Sequence, residues 1–176
     1  MSLLKYIVIV AMVLISNIAN ASTLDNFLQN SKSVSKYAMW IHARHKEIDY
    51  GRALALSEEV VIEASNMGIR PNILLALIET ESSFRLRVVS NKGAIGLTQV
   101  IPKYHTDIMR GKKLTSYRDS IAVGAQVLAQ YIEKHNGSLR KALKDYYGSR
   151  QQNGEDYASK VLKLAYAVRV EKVFAD

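Results

Sequence analysis

The stretch ALIETESSFRLRVVSNKGAIGLTQVIP, residues 76–102, places a glutamate, Glu81, at the end of an apolar helix. Ser90 follows nine residues later, and a glycine-rich turn, Gly93-Ala94-Ile95-Gly96-Leu97, leads on to Gln99. Pro71 fits the first turn of that helix, which the pattern places over residues 71–82. By the i, i+3, i+4, i+7 rule Leu74, Leu77, Ile78 and Glu81 share one face. A carboxylate that closes an aliphatic stripe is poorly hydrated. Desolvation disfavours its charged form and raises its pKa, the property a general acid needs near neutral pH. Glu79 competes for the role, because Leu75 and Ala76 sit on its side of a nearly all-apolar helix, and periodicity alone does not choose between the two. A step of two residues turns a helix by about 200°, so Glu79 and Glu81 point apart and cannot form a facing acid/base pair.

Outward from this helix the chain reads as mainly α. Val34, Ala38, Ile41 and His45 fall near one face of a helix over about 34–48, with Tyr37 and Ile48 beside it. A second helix spans about 50–66, with Gly68 as its C-terminal cap. Residues 83–113 read as irregular with short helical pieces. Further helices are expected at about 118–135, 138–147 and 155–171; the Asn136-Gly137 turn and an N-capping Ser138 separate the first two. No strand pair, internal repeat or low-complexity linker stands out. Residues 22–33 are polar and read as a loose tail.

A chain of 176 residues suits one domain with a real core. Lys5, the apolar run Tyr6–Ile18 and the small-x-small Ala19-Asn20-Ala21 read as a cleaved export signal over 1–21. The run is short for a membrane span, which needs roughly 20 residues, so no stable span is expected once the signal is gone. The division expected is therefore a signal at 1–21, an N-terminal segment with one helix at 22–49, and the main domain at 50–176. There is no cysteine, so disulfides are excluded, as is a lipid-bearing cysteine after the signal. Without Lys5 the remainder carries 23 basic and 16 acidic residues, a net +7. A basic exported protein is drawn to polyanions, and a carboxylate-rich bacterial wall is one. Nucleic acid is not expected as a partner: the basic residues are scattered, and aromatics do not interleave with them in a recognisable motif. His42 and His45 lie three apart on one helix, but no cysteine or clear third ligand accompanies them, so no metal or other cofactor is read here.

The segment from Glu81 resembles the catalytic region of the lytic transglycosylases, relatives of goose-type lysozyme that cut the glycan strands of peptidoglycan. The soluble type carries Glu-Ser at a helix end, then Ser, Gly-Ala-x-Gly-Leu-x-Gln and Pro. Here these are Glu81-Ser82, Ser90, Gly93-Ala94-Ile95-Gly96-Leu97-Thr98-Gln99 and Pro102. Downstream, Ser120-Ile121-Ala122-Val123-Gly124 with Leu128 is similar to the family's Asn-Ile-x-x-Gly helix. Asp145-Tyr146-Tyr147-Gly148 stands where Ala-Tyr-Asn-Ala-Gly is usual, and Tyr157-Ala158-x-Lys160-Val161 matches a closing Tyr-x-x-x-Val helix. Together the matches run from about residue 60 to about 168.

The resemblance implies a lysozyme-like, predominantly helical domain with its cleft between helices, and it decides for Glu81 as the single catalytic acid/base. It implies that Ser90 and Gln99 lie beside the sugar at the cleaved bond. Tyr146 would face the cleft near Glu81, its hydroxyl within reach of the carboxyl group or a sugar. Thr98 stands where Met is usual, Tyr147 where Asn is usual, and Ser120 replaces the Asn of the middle helix; Thr98 and Tyr147 are expected to reshape the floor of the sugar cleft. His105, after the motif proline, is a candidate for the cleft rim. The implied reaction is cleavage of the bond from N-acetylmuramic acid to N-acetylglucosamine. Glu81 protonates the leaving oxygen, the muramic acetamido group assists, and the ionised Glu81 then takes the C6 hydroxyl proton as a 1,6-anhydro ring closes. The alternatives are a goose-type muramidase, for which Asp145 is the nearest candidate to hold water, and a catalytically weak wall-binding accessory protein. Small chains of this type serve conjugation, secretion, pilus or phage machines, so such a machine is an expected partner beside the glycan strands.

Overall fold

The computed structural model describes residue 25 and residues 29–148 and 153–170. The export signal read over 1–21 lies outside the described residues. The first helix, α1, runs over 29–44, and α2 over Tyr50–Asn66. Next come α3, Pro71–Ser82, and a single 3-10 turn, Pro102–Tyr104. Three more helices complete the order: α4 at Tyr117–Lys134, α5 at Leu139–Gly148 and α6 at Gly154–Val170. The expectation of a mainly helical domain holds, and no named strand occurs among the described residues.

Local chemistry sets most boundaries. Asp49 caps α2 by accepting from the Arg52 backbone N–H at 2.9 Å. Gly68, at φ 64°, turns the chain out of the helix while Ile69 N–H reaches back to the Ala64 carbonyl at 2.8 Å. Pro71 then opens α3 at a position where a helix has no use for its missing N–H. Ser116 caps α4, and Asn136 and Gly137, both at positive φ, separate α4 from α5.

Two boundaries differ from the sequence reading. Residues 29–33 are helical, part of α1, rather than a tail: they are polar and largely solvated, so they carry none of the apolar periodicity by which a helix is read. At its other end α1 stops at 44, and His45 lies in the turn that follows.

The core is built around α3. Asn72 to Ile78 are all buried, with α6 and α2 packed against the helix. Tyr37, Ala38, Trp40 and Ile41 of α1 close the same core, each large apolar side chain contributing about 1.5–3 kcal/mol on burial. Asn72, the buried polar residue at the start of α3, donates through Nδ2 to the Ala165 carbonyl of α6 at 2.9 Å, so it fixes the two helices in register. Between α3 and α4 the chain forms a lobe over residues 83–116. Its ladder is reduced to two isolated bridges, Val89 with Ile95 and Ile95 with Val100. A small second core of Val100, Ile108, Leu114, Val123 and Val127 seats the lobe on α4.

Candidate active site

Helix α3 is buried nearly all round, so its last turn decides which carboxylate meets what. Glu79 points toward the turn after α1 and accepts from His45 Nε2 at 2.7 Å, with the His45 ring edge-on to Phe84 at 5.5 Å. It is a structural link. Glu81 turns the other way, toward α6, where the Tyr157 hydroxyl donates to Oε1 of its carboxyl group. Burial pushes the Glu81 carboxyl up from the ordinary 4.5 to about 7, against the opposing pull of the Tyr157 hydrogen bond and the Lys160 ammonium. No second carboxylate among the described residues acts on it. A group titrating near neutrality can both give and take a proton there, which is the requirement for one acid to serve two steps.

Three tyrosines surround this group. Tyr147 stacks on Tyr157 with ring centroids 4.8 Å apart and planes 22° from parallel. Tyr146 lies close enough for the Glu81 charge, after burial itself, to help hold its hydroxyl well above the ordinary phenol value. That hydroxyl donates to the Thr98 carbonyl at 2.8 Å. The hydroxyl bound to the carboxyl group is thus Tyr157's, not Tyr146's. Tyr157 entered the sequence reading only as the first residue of its closing helix motif. A signal for it existed: it shares the buried face of α6 with Val161, Ala165 and Val168, and a buried tyrosine needs a partner for its hydroxyl.

The loop from Gly96 to Gln99 carries the remaining candidates. Thr98 does not form the cleft floor. Its side chain is fully buried, and Oγ1 donates to the Ser120 carbonyl at 2.7 Å, so it cannot touch a sugar. The cause lies in α4. A Cβ on Gly124 would sit 2.4 Å from Thr98 Cβ, so only a glycine lets the loop approach the helix this closely. Ser120 and Gly124 therefore act as a seat for the loop. Gly96 is required for a second reason: φ is 80°, and an added Cβ would lie 2.3 Å from the Leu114 carbonyl oxygen.

Gln99 is half-buried at φ 49°, an uncommon conformation for a residue with a side chain. Its Nε2 donates to the Val88 carbonyl at 3.1 Å and the Gly96 carbonyl at 2.9 Å, which braces the turn from inside. Ser90 closes the neighbouring turn, its Oγ accepting from Ala94 N–H at 3.0 Å. Both residues are held within one hydrogen-bonded loop that is tied to Tyr146 through Thr98. His105 packs edge-on to Tyr131 at 6.3 Å, and Tyr131 edge-on to Tyr146 at 6.4 Å, a row of rings that leads away from the acid.

Asp145, the candidate to hold a water, is engaged elsewhere. It accepts from Lys134 Nζ at 2.6 Å and His135 Nε2 at 2.9 Å, tying α5 to the end of α4. Burial alone would raise its pKa; the Lys134 and His135 hydrogen bonds outweigh that and hold it below the ordinary value. His42 Nδ1 contacts the Ile48 carbonyl at 2.7 Å. Among the described residues no three His, Asp or Glu side chains gather as a metal site.

Comparison with known proteins agrees with this geometry. Membrane-bound lytic murein transglycosylase C of Actinobacillus pleuropneumoniae serotype 5b (strain L20) is 37% identical over 76 residues, 43% of this chain and 20% of that protein. Its namesake from Histophilus somni (strain 2336) is 33% identical over 113 residues, 57% of this chain and 30% of that protein. The chain thus spans a fifth to about a third of the length of these relatives. An X-ray structure of an inactive mutant of the lytic transglycosylase Slt from Pseudomonas aeruginosa superimposes with a TM-score of 0.55 at 18% identity, over 79% of this chain and 36% of that one. The likeness establishes the lysozyme-like helical fold. The family model described as the transglycosylase SLT domain matches residues 59–164, more than half of the chain and including Glu81, the loop and Tyr157. The chain belongs to the transglycosylase SLT domain family.

Proposed function

We propose that the chain is a peptidoglycan lytic transglycosylase that cleaves the MurNAc-β-1,4-GlcNAc bond without water and leaves 1,6-anhydro-MurNAc ends. The observation that carries the reading is a lone carboxylic acid, Glu81, raised to about 7 in a chain of this family. Protonated Glu81 gives its proton to the glycosidic oxygen as the carbon–oxygen bond breaks. The acetamido oxygen of the muramic sugar attacks its C1 and forms a ring intermediate. The Glu81 carboxylate then removes the proton from the C6 hydroxyl, whose oxygen displaces the acetamido group at C1. The acid ends protonated, ready for another cycle, and no water is consumed. Tyr157 orients the carboxyl group, and Tyr146 holds the loop carrying Gln99 and Ser90 beside the sugar. Tyr147 supports Tyr157 from behind.

The engagement of Asp145 by Lys134 and His135 argues against the hydrolytic alternative, which needs a second carboxylate to activate water. The curated relatives are named as murein transglycosylases, which supports the same substrate. The signal read at 1–21 fits export to the compartment where that polymer lies, and local opening of the wall for a secretion, conjugation or phage apparatus is the biological role we propose.

Product analysis tests this. The purified protein and its Glu81→Gln variant are incubated with isolated peptidoglycan, and released muropeptides are read by mass spectrometry. Anhydro-muropeptides, lighter by one water than reducing ones and absent with the variant, are expected. Reducing ends instead would identify a muramidase. No product, with wall binding retained, would leave only an accessory role.

A further inference from the structure

Helix α6 has two faces in different settings. The front, Tyr157, Val161, Ala165 and Val168, is buried and brings the Tyr157 hydroxyl to Glu81. At about 100° per residue, Ser159, Leu162, Lys163 and Tyr166 fall on roughly the opposite side. With Arg140 of α5 these four line an open groove of about 450 Å³, within the size range of small-ligand sites. Tyr166 is 60% exposed, and Val170, one turn further along the same side, is 49% exposed. Positive charge is left over here. Residues 157–170 hold Lys160, Lys163 and Arg169 and no acid. Glu155 is taken up by Arg140 at 2.5 Å and Lys144 at 3.2 Å, and Arg140 also donates to Ser159 Oγ at 3.0 Å. Lys163 has no carboxylate partner among the described residues, and the Arg169 guanidinium lies 5.6 Å from the centre of the Tyr166 ring.

An exposed aromatic ring beside hydroxyl and ammonium donors suits a ligand that is apolar on its face and polar at its edge. A sugar ring is such a ligand: its axial C–H groups form an apolar face, and its hydroxyl and acetamido groups point outward around the rim. A bilayer would need a broader apolar patch than Tyr166 and Val170 offer. A partner helix would need apolar floor where Lys163 and Arg140 stand. We propose that this groove is a second glycan-binding site, separate from the cleft. A sugar of the peptidoglycan strand stacks on Tyr166, Ser159 and Lys163 meet its polar edge, and Lys163 and Arg169 attract the carboxylates of the wall. The inference rests on the peptidoglycan reading. Because the groove and Glu81 lie on opposite sides of one helix, a short fragment cannot use both. A long strand, or a neighbouring strand of the same wall, can, and holding it at the back raises its effective concentration at the acid.

Cleavage by the full chain is followed on two substrates: isolated peptidoglycan, and a soluble tetrasaccharide fragment of it too short to span both sides of α6. Tyr166→Ala is expected to raise the half-maximal concentration of peptidoglycan roughly fivefold, about 1 kcal/mol, with kcat unchanged. On the tetrasaccharide it is expected to match the parent. Tyr166→Phe keeps the ring and is expected to behave as the parent on both. Lys163→Gln is expected to weaken use of the polymer about twofold, an effect that fades as salt rises. Unchanged use of peptidoglycan by Tyr166→Ala would overturn the inference, as would an equal loss on both substrates, which would place its effect in the cleft or the fold. Co-sedimentation of the Glu81→Gln chain, with and without Tyr166→Ala, separates the remaining cases. Loss of binding to vesicles of phosphatidylglycerol and phosphatidylcholine, with peptidoglycan binding intact, would overturn the site in favour of a lipid surface. Loss of peptidoglycan binding through Tyr166→Ala, where the parent yields no anhydro product, would keep the site and refute the enzyme; cleavage with unchanged binding would refute the site alone.

Discussion

Replacing Glu81 by Gln should stabilise the protein, and only above the acid range. Folded Glu81 titrates at about 7 and the unfolded chain's glutamate at 4.5. Between those values the folded state keeps a proton that the unfolded state has released. Folding therefore binds a proton in this window, and stability falls as pH rises through it. At about 1.4 kcal/mol per pH unit, the gap from 4.5 to about 7 corresponds to on the order of 3 kcal/mol. Cleft water screens part of this, so about 2 kcal/mol is the working figure. Glutamine has no charge to bury and can still accept the Tyr157 hydrogen bond. Urea unfolding of both proteins at about pH 4 and about pH 8 measures the difference, which for a protein of this size is a midpoint shift of about 1 M at the higher pH and near none at the lower. The same difference at both pH values, or a variant less stable at high pH, would refute the reasoning: Glu81 would then be well hydrated and its desolvation unreal.

Tyr157→Phe removes a hydrogen bond that lowers the Glu81 pKa; the alkaline limb of the pH–rate profile is expected to move up by about one unit, since such bonds to charged groups contribute about 1.5–3 kcal/mol. A limb that stays or moves down would separate Tyr157 from the acid. Gly124→Ala gains helix propensity of about 1 kcal/mol but drives a methyl into Thr98, and the net effect expected in thermal unfolding is a loss of about 1–2 kcal/mol. Tyr147→Asn, the residue usual at this place in the family, removes the stack on Tyr157; chemical denaturation should report a loss of about 1 kcal/mol or more.

What the sequence made legible was local. Asn136-Gly137, Gly68 and Pro71 mark helix ends by their own backbone preferences, so the end of α2, the start of α3 and the break between α4 and α5 could be read directly. The burial-raised pKa of Glu81 was legible because a carboxylate on a leucine stripe is anomalous before any partner is known, whereas preferring it to Glu79 as the candidate acid rests on the motif. The destination of each hydroxyl was not legible. Whether Tyr146 or Tyr157 meets Glu81 depends on how α5 and α6 cross α3, and nothing within either helix encodes that. Thr98 misled for a related reason: a polar residue next to a cleft glutamine reads as a ligand until Gly124, 26 positions away, opens a space to bury it. The turn at 29–33 escaped because a solvated helical turn has no pattern of its own.

Two adjacent loop residues are fastened to three different helices. The Leu97 carbonyl accepts from Ser82 of α3 at 2.8 Å, the Thr98 hydroxyl donates to α4, and the Thr98 carbonyl accepts from Tyr146 of α5 at 2.8 Å. Such a fastening divides the connection between α3 and α4 into parts with different freedom to evolve. Leu97 and Thr98 cannot drift singly, because each change disturbs a joint between helices. The tip around Asn91 and Lys92 is exposed and takes no part in the fastening, so it can lengthen, shorten or change charge while the acid keeps its geometry. Charge and shape at the tip can thus vary while the setting of Glu81 stays as it is.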